Sequence, residues 1–146
     1  MERFETFVSD ITELYRVIQQ LKNLESARLG LEGRHVMFLN YLRANPEGVT
    51  AAELCRLCGE DKAAISRTAA DLEKRQLIVR EKGYRARISL TEEGAAAADS
   101  LKGLSDKIVE IGGADLSDHE RQVLYSTLAK ITENLISYCR KAEQEV

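Results

Sequence analysis

The stretch TAAELCRLCGEDKAAISRTAADLEKRQLIVREKGYRARISL, from Thr50 to Leu90, decides the fold. Thr50 and Glu53 stand at the spacing of a capping box, in which a hydroxyl and a carboxylate each take a free backbone N–H at a helix start. After the corner at Cys58-Gly59-Glu60, Asp61 can cap a second helix. That helix, about Lys62 to Arg75, has Ile65, Ala69 and Leu72 at helical spacing for burial. Lys62, Ala63, Ser66, Arg67 and Lys74 are left nearer the other faces. From Leu77 the pattern changes. Leu77 to Lys82 and Arg85 to Leu90 are β-prone runs about Gly83-Tyr84, which reads as a hairpin. Helix, tight corner, helix and basic hairpin form the pattern of a winged helix-turn-helix. In that arrangement the second helix reads major-groove base edges and the wing grips a neighbouring backbone or minor groove.

The net charge of −3 argues at first against a nucleic-acid partner, but its distribution reverses that. Between Asp61 and Arg87 eight basic residues face four acidic ones, so this segment is +4 and the remainder −7. Phosphate contact depends on the local field, so a footprint would lie here. The competing view is a merely solvated charged surface. At 146 residues the chain can form one packed unit, and no linker-like segment divides it. A single unit over 1–146 is therefore expected, with the winged helix-turn-helix at 48–90 and helical dimerisation parts at 1–24 and 91–146. An apolar fraction of 44% fits a soluble globular chain, and no apolar run reaches the roughly 18 residues needed to span a bilayer. The first ten residues lack the pattern of a signal peptide, and three cysteines form no disulfide framework. The expected location is cytoplasmic, with no membrane partner.

Outside the central stretch the chain is helical in pattern. Phe4, Phe7, Ile11, Leu14, Ile18 and Leu21 make one apolar seam over about five turns. The boundary between Asn23 and Gly33 stays open, as a loop or as a helix extended through Leu24 to Leu31. A further helix carries Val36, Leu39 and Leu42 and stops near Asn45, ahead of Pro46. Val49 is placed to add a brief strand to the wing. Thr91 caps another helix with a seam through Gly94, Ala97, Leu101, Leu104, Ile108 and Ile111, ended by Gly112-Gly113. Ser117 to Glu120 is a second capping box, opening a last helix with Leu124, Leu128, Ile131, Leu135 and Tyr138 on one side. The long seams at the two ends of the chain call for burial against each other and a second subunit. A two-fold dimer would set two reading helices about 34 Å apart on a roughly palindromic site.

The stretches Val49 to Leu54, Gly59 to Arg67, Leu72 to Ile78 and Ile88 to Gly94 together resemble the MarR family of transcription regulators. The wing strand running into Ser89-Leu-Thr-Glu-Glu-Gly94 is the most specific of them, and the order of helices matches over nearly the full length. The resemblance implies a mainly α-helical, dimeric winged-helix DNA binder, usually a repressor, often released by a small-molecule effector bound between its dimerisation and DNA-binding parts. By position, Lys62, Ala63, Ala64, Ser66 and Arg67 fall where the family's recognition helix faces double-stranded DNA, and Arg85 and Arg87 fall on its wing. Two departures stand out. Lys82-Gly83-Tyr84 replaces the Asp-x-Arg-Arg type of wing motif, and Gln76 stands where a glycine often follows the recognition helix.

Arg67 is the first candidate for DNA contact, since a guanidinium takes a phosphate or a guanine edge bidentately. Its competing role is an i,i+4 pair with Asp71. Strand alternation would send Arg85 and Arg87 to one face. Cys55 and Cys58 read first as small buried hydrophobes, with thiol sensing as the alternative. A lone CxxC lacks the second ligand pair of a structural zinc site. Of the two histidines, His119 reads as a surface residue and His35 as the candidate for facing a ligand cleft. No nucleophile and base pairing, phosphate-binding loop or HExxH pattern occurs, so neither catalysis nor a cofactor is expected. The competing function classes are a thiol- or metal-responsive sensor on the same scaffold and a winged-helix protein-interaction module.

Overall fold

The computed structural model describes residues 2–145; Met1 and Val146, the outermost residues of the expected unit, lie outside the described residues. The elements in chain order are α1 (Arg3–Ala27), α2 (Gly33–Ala44), β1 (Val49–Thr50), α3 (Ala51–Cys58), α4 (Lys62–Lys74), β2 (Ile78–Arg80), β3 (Arg87–Leu90), α5 (Glu92–Gly112) and α6 (Asp118–Gln144). This mainly helical winged helix-turn-helix is the expected fold class. The boundary left open after Asn23 falls at Ala27, where the chain turns through Gly30 at φ +69°. None of these helices is long and apolar enough to cross a membrane.

Two compact units divide the chain, Met1–Ile108 and Val109–Val146. In the first, the core joins Phe38, Leu39 and Leu42 of α2 to Leu54 of α3, Ile65, Ala69 and Leu72 of α4, Ile78 and Ile88 of the sheet, and Ala98 and Leu101 of α5. Burying these apolar side chains stabilises the unit by about 1.5–3 kcal/mol for each large one. The predicted inner side of α4 is thus the buried one. Asn40 and Arg43 of α2 reach Ser105 and Asp99 of α5, so polar bonds outside the core fix the same helix pair.

The sheet has the antiparallel order β1-β3-β2, with Val49 opposite Ile88 and Ile78 opposite Leu90. Val49 adds the brief strand expected of it. The wing strands are shorter than their β-prone runs, and the loop between them spans Glu81 to Ala86. Three bonds tie the base of the wing to α5. The Thr91 N–H donates to the Leu77 carbonyl, its hydroxyl donates to the Gln76 carbonyl at 2.7 Å, and the same oxygen accepts the Gly94 N–H. A Cβ on Gly94 would lie 1.8 Å from the Leu77 carbonyl oxygen, so the helix passes the backbone at a distance that only glycine allows.

In the second unit, the Ser117 and Glu120 capping box is formed, and Arg121 donates to the Gly113 carbonyl at 2.6 Å. No described residue of α6 is buried.

Candidate nucleic-acid interface

Two caps set the angle between α3 and α4. The Thr50 hydroxyl accepts the Glu53 N–H while the Glu53 carboxylate accepts the Thr50 N–H at 2.9 Å, and those bonds hold the Glu53 carboxyl below its ordinary range. Gly59 ends α3 at φ +65°, and the Asp61 carboxylate accepts the Ala64 N–H at 2.7 Å. The corner is therefore specified by side chains on both sides of it.

With Ile65, Thr68, Ala69 and Leu72 inside, α4 turns Lys62, Ala63, Ser66, Arg67 and Ala70 to solvent. Cations lie at the edges of this face and small side chains in its middle, which lets the helix axis approach a groove floor closely. Ala64 sits apart from that face. It is half-buried against the corner, in a crevice shared with Cys58 and Thr68. Ala70 was missed by the sequence reading, although its spacing of four from Ser66 puts it on the same strip.

Arg67 does not pair with Asp71. That carboxylate faces the other way, toward Arg75 Nε at 3.1 Å, Arg34 Nη2 at 3.3 Å and His35 Nε2 at 2.7 Å. Arg80 takes Glu73 in a two-toothed contact, 2.8 Å at its shorter arm, which lowers the Glu73 carboxyl and neutralises the acid next to the basic face. Lys62, Arg67, Lys74, Lys82 and Arg85 make no ion pair among the described residues.

The wing arginines separate. Arg85 lies in the loop at φ +54°, before β3 begins, so strand alternation does not place it beside Arg87. Its guanidinium stands 5.4 Å from the ring of Tyr84, a cation–π contact at the tip of the wing, where Tyr84 is 92% exposed. Arg87 bends back, and its Nη1 donates to the Gly48 carbonyl at 3.0 Å. Between wing and α4 runs a cleft of about 960 Å³, bordered by Thr50, Lys62, Ser66, Arg80, Tyr84 and Arg85. The described site thus has a cation-edged helix, a cation-bearing wing tip and a trough between them.

His35 is fully buried, tied into the network around Asp71. Ligand atoms of Glu32, His35 and Asp71 come within 4.8 Å of one another, which invites a metal reading. The tautomer opposes it. His35 Nδ1 accepts the Glu32 N–H at 3.0 Å, so the proton of the neutral ring sits on Nε2, the atom that would have to ligate. Arg34 and Arg75 already neutralise both carboxylates. Cys55 and Cys58 are half-buried, and burial, followed by the charge of Glu60, pushes the Cys58 thiol up to about 11. Little Cys58 thiolate is then present at neutral pH, which favours a packing role for that residue. Cys139 is exposed on α6, as is His119.

Residues 29–87 match the MarR family model. No match was found among curated protein sequences. Among solved structures, the chain is similar to a MarR transcriptional regulator from Methanosarcina mazei Go1, at 22% identity and TM-score 0.82, with 94% of each chain covered. A Listeria monocytogenes protein classed in the MarR family of transcriptional regulators and solved with a 26-mer DNA has 21% identity and TM-score 0.83, covering 92% of this chain and 93% of its own. The S. aureus MepR–DNA complex has 19% identity and TM-score 0.81, covering 92% of this chain and 99% of its own. The chain shares the winged-helix fold of these solved structures, and its residues 29–87 match the MarR family's sequence pattern.

Proposed function

We propose that the protein is a sequence-specific transcription regulator that binds double-stranded DNA as a homodimer on a pseudo-palindromic operator. The observation that carries this reading is the solvent face of α4, where Lys62 and Arg67 flank Ala63 and Ser66 without an ion-pair partner among the described residues. The two acids within α4, Asp71 and Glu73, are occupied by arginines elsewhere. Lys62, Ala63, Ser66 and Arg67 meet the major groove, Ala64 supports them from the corner, and Arg85 reaches the adjoining backbone or minor groove. Arg87 acts with it by holding the wing to Gly48. The whole chain works as one MarR-like unit, with 48–90 reading DNA and the helices of 1–24 and 91–146 joining two copies. Repression relieved by a small-molecule effector fits this design if the effector binds the two arrangements of the reading heads with different affinity. A location in the cytoplasm fits the same role.

The test is selection of bound sequences from random duplex DNA at a stated salt concentration, followed by titration of the best site. Selected sites are expected to be two-fold symmetric. Arg67→Ala should weaken binding by about 1–3 kcal/mol if the side chain reads a base edge. If it holds a phosphate instead, the salt slope falls by roughly 0.9. Unchanged affinity and slope, or no selective retention of DNA by the native protein, would refute the reading.

A further inference from the structure

We propose that His35 is a positioning residue for the recognition helix: as the Nε2–H tautomer it bridges the Glu32 N–H at the head of α2 and the Asp71 carboxylate of α4, and a second proton on the ring breaks the Glu32 end of that bridge. The DNA consequence rests on the function proposed above; the link itself does not.

His35 has no exposed surface, and both ring nitrogens have defined neighbours. Nδ1 accepts the Glu32 N–H at the head of α2. Nε2 lies 2.7 Å from Asp71 Oδ2, at an angle too bent for a well-formed hydrogen bond, so the contact is mainly electrostatic. The charged groups facing the ring are Glu32 and Arg34 from the head of α2 and Asp71 and Arg75 from α4. Arg75 also donates through Nη1 to the Gly30 carbonyl at 2.7 Å, tying the turn after α1 into the same cluster. The cluster therefore joins the turn before α2, the head of α2 and the last turns of the helix that would read DNA.

A second proton can enter only at Nδ1, which faces the Glu32 N–H. Two donors would then point at each other, and the bond at the head of α2 would be lost. An imidazolium would also become the third cation around Asp71, beside Arg34 and Arg75. Burial favours the neutral ring and lowers the His35 pKa; Asp71 opposes this, while Arg34 and Arg75 reinforce it. Folding thus disfavours protonation. The contribution is present above the ordinary imidazole range of about 6.5 and is lost as pH falls below it toward the depressed folded-state value.

The sequence contains two histidines, so imidazole spectra have two signals, and loss of one in His119→Gln assigns the other to His35. Long-range nitrogen–proton spectra of the full chain, recorded from about pH 8 to about pH 4.5, should show His35 as the Nε2–H tautomer with a midpoint below the ordinary imidazole value of about 6.5. Backbone amides of Lys62 to Arg67 should shift with the His35 midpoint. Affinity for the selected DNA site should fall roughly tenfold or more over the same range. His35→Ala should weaken binding above the native His35 midpoint and converge with the native protein below it. Glutamine is the usual partner at this position of a capping box and cannot take the second proton, so His35→Gln should recover binding relative to His35→Ala and flatten the pH profile. His119→Gln should keep the native profile. If His35→Gln does not fold, Asp71→Asn supplies the second readout: an acceptor remains, the countercharge is gone, and the His35 midpoint should move further down. An Nδ1–H tautomer, a His35 midpoint at or above about 6.5, or recognition-helix amides that ignore the His35 midpoint would overturn the proposal. If the protein selects no DNA at any pH, the function proposed above fails, and the spectra alone decide the role of His35.

Discussion

At the scale of single residues, the strained backbone positions show where packing overrides preference. Gln76 closes the turn after α4 at φ +60°, a left-handed conformation that costs a non-glycine residue about 1–2 kcal/mol. Its backbone is nonetheless useful there, because the N–H bonds Glu73 and the carbonyl takes the Thr91 hydroxyl. Gln76→Gly keeps both bonds and removes the strain, at the expense of a more flexible unfolded chain. The net expectation is a gain of roughly 0.5–1 kcal/mol, read as a higher urea midpoint at unchanged slope. A lower midpoint would show that the glutamine side chain contributes more than its backbone strain costs.

At the scale of elements, the wing depends on how α5 begins. Thr91 bonds both Gln76 and Gly94, and Gly94 crosses the Leu77 carbonyl with no room for a methyl group. Gly94→Ala drives Cβ against backbone that no rotamer change can move, so a loss of about 3 kcal/mol is expected. Thermal unfolding would register it, and Gly103→Ala, in open space on the same helix, should not show the loss. The capping residues and the burial of Ile65, Ala69 and Leu72 were legible from Thr50 to Leu90, because caps and helical periodicity are local signals. What escaped was set by pairing across distance. Asp71 turns from Arg67 to Arg34, Arg75 and His35, Arg87 turns to Gly48, and Arg85 leaves the strand for a left-handed loop position. Sequence spacing says which residues can share a helix face, but it does not say which of several arginines reaches a given carboxylate.

At the scale of the whole molecule, the exposed seams are the main unsolved burial. Phe4, Phe7, Ile11, Leu14 and Ile18 all remain exposed along α1, and Leu124, Leu135 and Tyr138 along α6. Continuous apolar stripes of this kind are uncommon on monomers and fit an interface between copies. The proposed dimer accounts for them and also for two-site DNA recognition, since each copy would supply one α4 to half-sites about 34 Å apart. Leu14→Glu combined with Leu135→Glu places two charges in the seams without touching the core of the first unit. Native protein should sediment at twice the chain mass at micromolar concentration, and the double variant at the chain mass with its helicity retained. Joining two reading heads raises affinity through effective concentration, so the variant should bind a palindrome about 10²–10⁴-fold more weakly than the native dimer while its affinity for one half-site is unchanged. A native protein of 16.4 kDa in solution would remove the dimer. A dimer that survives both substitutions would place its interface elsewhere.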